Sequence, residues 1–403
     1  MPANLDNITI LYSDVPSLQQ MQNLPCLPPF DEHVCGFLSA VGQKLLSTPA
    51  AKAYPDIITF AFFCRKANLA KLKENYGTRI ANRLGRGVSF HIAPSNVPIN
   101  FAYTMAAGLL SGCCVIVRAS SKSFAQTDII TAAVAQVLCL PEYAAVKNRL
   151  AIVTYGRESD ATAMLSAMCD VRVIWGGDDT IAQIRSHPIP PRSFDITFAD
   201  RYSACAIDAK NYLADYDAAK TAQDFYNDTY LYDQNACSTP RLICWIGSNA
   251  DICAAKARFW QALHSYTAPR YQVEPVVAMD KLMTECRCAI GLEQVMVPPH
   301  ADNLISRIQL SALTEDVPQY RCAGGSFLEY DCTDLTAFAA IVTRKYQTLS
   351  YIGLDAQELK SFCTQQGLCG VDRIVPVGKT ADFTLTWDGY DLIETMSRIV
   401  YTA

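Results

Sequence analysis

From Val88 onward, short runs of branched and aromatic residues alternate with stretches of helical periodicity, and this alternation constrains the fold more than any other feature of the chain. VSFHIA, beginning at Val88, reads as a buried strand; Pro98 opens a helix through Leu110; Gly112 ends it; and CCVIVRA, beginning at Cys113, reads as the next strand. The pattern continues with a helix over Ser123 to Leu138, a strand at AIVTY, a helix over Ser159 to Met168, and a strand VRVIW that ends at Gly176 and Gly177. Repeated strand, helix, strand units imply a parallel sheet with helices on both faces. After about Phe198 the pattern restarts with YSACAID as a strand, a helix over Tyr216 to Tyr226, a polar loop, and RLICWIG as a strand. Alternation resumes from Asn303 to Gly389, and Leu392 to Val400 suits helix and strand equally.

A chain of 403 residues exceeds what one hydrophobic core usually serves, so two principal domains are expected. The expected division is 1–198 with an N-terminal extension, 199–378, and a C-terminal segment 379–403 that packs on the first domain or on an oligomer partner. A net charge of −5, with no Lys/Arg run, argues against nucleic acid as a partner. Met1 to Gln20 has no basic stretch followed by an apolar core, and no apolar segment approaches bilayer length, so a cytoplasmic protein without a membrane span is expected. Seventeen cysteines, an odd count with no C-x-x-C pair, fit reduced thiols better than a disulfide framework or a zinc site.

Cys237 differs from Cys113, Cys114, Cys169, Cys205 and Cys244, which sit in or beside apolar stretches where a thiol behaves as a small hydrophobe. It lies in DQNACSTP, a polar loop leading into the strand that begins at Leu242, where both a nucleophile and an ordinary loop cysteine fit. In APSNVP, between a strand end and a helix start, Asn96 suits two roles: donating its amide to a developing oxyanion, or capping the following helix, the commoner use of Asn just before such a Pro. Arg118, Ser120 and Ser121 follow the strand VIV and offer a cation and hydroxyls suited to a phosphate, or a solvated loop. Gly176 and Gly177 end a strand and open a helix, where backbone N–H groups can face a pyrophosphate, although the G-x-G-x-x-G fingerprint is absent. The five histidines show no metal or catalytic spacing, and His91, inside an apolar strand, reads as a core histidine.

From Leu84 to Arg398 the order of these pieces resembles the aldehyde dehydrogenase superfamily, and more closely the LuxC-type bacterial acyl-CoA reductase family. The resemblance rests on APSNVP, on DQNACSTP, and on the late segments GVDRIVPVG from Gly370, WDGYDL from Trp387, and Ser397-Arg398. It implies an α/β, aldehyde dehydrogenase-like fold with a Rossmann-like cofactor domain and an α/β catalytic domain. It also implies that Cys237 is the catalytic thiol, that Asn96 shares an oxyanion hole with the Cys237 N–H, and that Arg118 lies beside the adenosine ribose; Ser120, Ser121, Gly176 and Gly177 stand as further cofactor candidates on their local pattern. The implied reaction reduces an acyl-CoA or acyl-protein thioester to an aldehyde. Fatty acyl groups, an acyl-protein synthetase subunit as partner and a homo-oligomer come with the resemblance.

Two departures from ordinary aldehyde dehydrogenases refine this expectation. Where those enzymes carry a Glu that activates water against the acyl-enzyme, the segment Ile196 to Asp200 places Thr197, which disfavours hydrolysis to an acid. Where they carry Lys-Pro-Ser-Glu, this chain has Arg118-Ala119-Ser120-Ser121; loss of the Glu and gain of a forked guanidinium favour NADPH over NADH. The competing expectations are a hydrolytic aldehyde dehydrogenase and a non-redox subunit that carries or scaffolds acyl groups.

Overall fold

The largely apolar runs Val88–Ile92 and Val171–Trp175 are buried at every residue in the computed structural model, which describes residues 8–15, 18–300 and 302–402. The expectation for Met1 to Gln20 therefore falls partly outside the described residues. Such runs need cover on both faces. They are central strands of the first of two compact units, Met1–Ala199 with Thr384–Ala403; the second is Asp200–Phe383.

The first unit contains β1 (Thr9–Tyr12), β2 (Arg83–Gly85), β3 (Val88–Ile92), β4 (Cys114–Arg118), β5 (Leu150–Thr154), β6 (Val171–Trp175) and β7 (Phe194–Phe198). Six of them form one sheet in the order β1-β5-β4-β3-β6-β7, parallel throughout except for β1 at the edge. The chain builds outward from β3 through β4 to β5 and then returns to the other side of β3 as β6. This reversal marks a topological switch point between β3 and β6, at whose carboxyl ends doubly wound sheets bind ligands. His91 is wholly buried, with Nδ1 at 2.6 Å from the Thr104 hydroxyl and Nε2 at 2.9 Å from that of Ser89. Burial pushes its imidazole down to about 3, so it is a neutral core group.

In the second unit β8 (Tyr202–Asp208), β9 (Pro240–Ile246), β10 (Ser306–Leu310), β11 (Ser326–Cys332), β12 (Tyr346–Ile352) and β13 (Arg373–Pro376) form a wholly parallel sheet, ordered β10-β11-β9-β8-β12-β13. Helices cover it: the helix expected over Tyr216 to Tyr226 is present as Ala218–Thr229, and a further helix, Ala209–Asp215, precedes it. Two caps start them: Asp208 accepts from the Asn211 N–H and Asp217 from the Lys220 N–H, with extended Tyr216 between the helices. On one face Phe225, Trp245, Phe259, Trp260 and Phe327 form an aromatic core. Buried Glu329 is satisfied there by the indole N–H groups of Trp245 and Trp260, at 2.8 and 2.9 Å, and by Arg307 at 2.8 Å.

The C-terminal return to the first unit carries β14 (Thr386–Trp387), β15 (Tyr390–Asp391) and β16 (Ser397–Ile399). Leu392 to Val400, equally suited to helix and strand in sequence, uses both: Leu392–Met396 is helical, capped by Asp391, and β16 then pairs with β2. The WDGYDL segment is structural in part. Trp387 lies 6.4 Å from Trp175, and Tyr390 meets Phe198 edge-on at 5.9 Å.

Candidate active site

In the first unit the oxyanion candidate Asn96 and every cofactor candidate leave the carboxyl edge of the same sheet. Asn96 follows β3, Arg118 closes β4, Ser120 and Ser121 come just after it, and Gly176 and Gly177 follow β6. Ile92 of β3 pairs with both Arg118 and Ile174, so three loops far apart in sequence converge. Asn96 is exposed, and it is not the cap of the following helix. That helix starts at Asn100 rather than at Pro98, its cap position is Ile99, and no side chain caps it. A turn closed by Asn100 N–H to Val97 O, 3.1 Å, leads the chain into the helix instead.

Arg118 donates Nη2 to the carbonyl of Tyr155 at 3.0 Å and lies over the Tyr155 ring at 4.7 Å, while its buried Nε has no partner. Burial lowers the guanidinium pKa from its ordinary value, the usual effect of desolvating a cation. An anionic oxygen would satisfy the orphaned donor. Ser120 already accepts from the Lys122 N–H at 3.0 Å, whereas Ser121 is exposed. Gly177 precedes the helix Asp178–Arg185, and a Cβ built on it would meet nothing within 4 Å, so space stands open beside that helix start.

Cys237 belongs to the second unit, at the amino edge of its sheet. Ser203 and Gln347, each the second residue of its strand, and Ser326, the first of β11, cluster around the cysteine loop that enters β9. The loop is bent by two non-glycine residues in the left-handed region, Asp233 (φ 50°) and Gln234 (φ 60°). Buried bonds hold this bend. The Gln234 Oε1 accepts from the N–H groups of Gly325 (2.8 Å) and Ser326 (2.9 Å), and its Nε2 donates to the Ser326 carbonyl (2.9 Å). Arg241, nine-tenths buried, donates to the carbonyls of Gln234 and Cys322. Burial lowers its guanidinium to about 10, which leaves it charged at neutral pH. Gly325 must be glycine: its φ is 90°, and a Cβ would lie 2.3 Å from the Tyr230 hydroxyl.

The thiol itself is half-buried. Ser203 donates its hydroxyl to the Cys237 carbonyl at 2.7 Å, and the Gln347 Nε2 lies 3.3 Å from the Cys237 Sγ. Behind the loop Thr239 donates to the Asp228 carbonyl, while the Asp228 carboxylate accepts from the N–H groups of Gly378 (2.6 Å) and Thr380 (3.0 Å). The GVDRIVPVG segment is thereby tied to the cysteine loop. Sequence reasoning missed Gln234, Ser203, Asp228 and Gln347. The one available signal was a polar pair, Gln347-Thr348, near the start of the strand YQTLSYI, whose remaining residues apart from Ser350 are apolar or aromatic.

Among solved structures, a NAD-dependent benzaldehyde dehydrogenase from Corynebacterium glutamicum matches 99% of this chain and 95% of its own, with a TM-score of 0.65 at 13% identity. A mutant aldehyde dehydrogenase C from Pseudomonas syringae, in complex with NAD+ and octanal, matches 94% of this chain and 85% of its own, with a TM-score of 0.66 at 11% identity. The architecture is that of an aldehyde dehydrogenase-like α/β protein. The family description "Acyl-CoA reductase (LuxC)" matches residues 65–399, and the chain belongs to that family. A long-chain acyl-protein thioester reductase 2 from Photobacterium leiognathi is 23% identical over 285 residues, 62% of this chain and 57% of that protein. A long-chain acyl-protein thioester reductase from Aliivibrio fischeri is 26% identical over 170 residues, 41% of this chain and 33% of that protein. The chain thus spans between a third and just over half the length of these relatives. Among the described residues no single helix is long and apolar enough to cross a membrane.

Proposed function

We propose that this protein reduces an acyl thioester, carried by CoA or by a protein, to the aldehyde with NADPH, and that Cys237 carries the acyl group. The observation that supports this most is the construction around Cys237: a half-buried thiol on a loop bent through two left-handed residues and fixed by Gln234, Arg241 and Ser203. A nucleophile gains from such fixing because its approach to the carbonyl is set before the substrate arrives. Membership of the acyl-CoA reductase family favours the same chemistry.

The Cys237 thiolate attacks the thioester carbonyl; the C–S bond to the donor breaks, the donor leaves as a thiolate that takes a proton, and an acyl-enzyme remains. When bound, the reduced nicotinamide supplies the hydride for the acyl carbon. Asn96 and the Cys237 N–H stabilise the oxyanion, at about 3 to 4 kcal/mol per donor in comparable sites. Cleavage of the bond to Sγ then frees the aldehyde and restores the thiolate. Arg118, with its unsatisfied buried Nε, and Ser121 would hold the 2′-phosphate, and the backbone at Gly176 and Gly177 the pyrophosphate. Thr197 is no base for activating water, so the acyl-enzyme is spared hydrolysis.

NADPH oxidation followed by absorbance, with long- and short-chain acyl-CoA and NADH for comparison, tests the reading. Acyl-dependent oxidation lost in Cys237→Ala supports it, and absence of both NADPH binding and turnover refutes it. The protein partner and the homo-oligomer expected from the resemblance belong to the same proposal and are tested by purification of the assembled complex.

A further inference from the structure

Gln347 stands where two strand irregularities meet. Between β8 and β12 the register slips: Tyr202 pairs with Tyr346 but Ala204 with Leu349, so β12 carries one extra residue across Gln347 and Thr348. Between β8 and β9 Ser203 pairs with Pro240 but Ala204 with Leu242, so β9 carries its own extra residue at Arg241. Bulges of this kind re-aim side chains and recur beside active sites. Here they produce a closed ring of contacts. The Gln347 Nε2 is 3.3 Å from the Cys237 Sγ; its Oε1 accepts from the Thr348 hydroxyl at 3.2 Å; the Thr348 N–H donates to the Ser203 Oγ at 3.2 Å; and that hydroxyl donates to the Cys237 carbonyl at 2.7 Å. Gln347 is 1% exposed and Thr348 likewise 1%, so neither amide nor hydroxyl exchanges readily with water.

The chemistry of a carboxamide limits what it can do there. It takes no proton at neutral pH, so it is no base. With Oε1 committed to Thr348, the N–H groups are what it turns toward sulfur. A hydrogen bond donated to sulfur favours the thiolate over the thiol, and bonds to charged acceptors are about twice as strong as neutral ones.

We propose that Gln347 is a catalytic residue of this site: its amide donates to the Cys237 sulfur, raising the share of thiolate for attack on the thioester and stabilising the same sulfur as the aldehyde departs. The assignment rests on the reading of Cys237 as the acyl carrier. It adds a thiolate donor distinct from the oxyanion donors and needs no base beside the cysteine.

The test is the rate of carbamidomethylation of Cys237 by iodoacetamide, quantified on its peptide by mass spectrometry across pH in the parent, Gln347→Leu and Gln347→Glu, with Cys237→Ala to verify the peptide. This assay uses neither acyl donor nor NADPH, so it fails independently of the proposed reaction, which acyl transfer to Cys237 tests. Gln347→Glu keeps the size of the side chain and guards against a Leu variant that does not fold. At neutral pH Cys237 in Gln347→Leu reacts about tenfold more slowly, and in Gln347→Glu more slowly still, both recovering toward the parental rate at high pH where the thiolate forms without help. Parental rates in either folded variant overturn the proposal, and so does a slowing that persists at high pH, which marks lost access.

Discussion

The side chain of Gln234 is bonded to the backbone of Ser326 as a neighbouring strand would be, accepting its N–H and donating to its carbonyl, each at 2.9 Å, across 92 residues of sequence. Both partners are buried. Gln234→Ala leaves the amide groups of Gly325 and Ser326 unsatisfied and releases the left-handed bend before Cys237. A loss of about 2 to 4 kcal/mol in stability is expected, measured by urea denaturation, with a further loss of Cys237 reactivity in whatever fraction remains folded.

Asn96→Ala separates an oxyanion donor from a helix cap. Because no side chain caps the helix Asn100–Leu110, the variant should unfold within about 0.5 kcal/mol of the parent. Its kcat should fall by about 10² to 10³ with the acyl-CoA KM little changed. Steady-state kinetics beside a denaturation curve distinguish this from a structural role, which would lower stability and spare kcat.

Arg118→Leu removes the guanidinium whose Nε lacks a partner. The KM for NADPH should rise by about tenfold to a hundredfold, with a smaller rise for NADH, as expected when one charge-assisted pairing with a 2′-phosphate is lost. Equal rises for both cofactors, in titrations with each, would place Arg118 in general packing against Tyr155 instead.

Asp228 makes stability depend on pH in a predictable direction. Burial raises its carboxyl from 3.8 to about 7, against the opposing pull of the Gly378 and Thr380 N–H groups, with Asp382 adding to the rise. The folded pKa exceeds the unfolded one, so this group's contribution is full below about 4 and is lost as pH rises through about 7. Over that window it removes up to about 4 kcal/mol. Urea midpoints between pH 4 and pH 8 should therefore fall less steeply with rising pH in Asp228→Asn than in the parent.

The fold was legible because central parallel strands are buried along their whole length and so are mostly apolar, which made Val88–Ile92 and Val171–Trp175 readable without any alignment despite Ser89, His91 and Arg172 within them. The loops at the carboxyl edge of the first sheet could be read for a related reason: strand ends and helix starts are local signals. The environment of Cys237 was not legible. Its partners Ser203 and Gln347 lie 34 and 110 residues away and act through bulges, which leave no periodic trace. The rule that ligands bind at the carboxyl edge of such sheets does not single out Cys237, which lies at the amino edge of its own. The short helix Ala209–Asp215 went unread because its capping aspartate, Asp208, resembles an ordinary surface charge until its N–H partner is known.

Whether Cys237 holds the acyl group is tested most directly by incubating the protein with a long-chain acyl-CoA without cofactor and locating the adduct by peptide mass spectrometry, then adding NADPH. The account predicts one acyl group on Cys237, none in Cys237→Ala, and discharge as aldehyde when NADPH is added. An adduct on another residue, no adduct at all, or discharge as the free acid would contradict it.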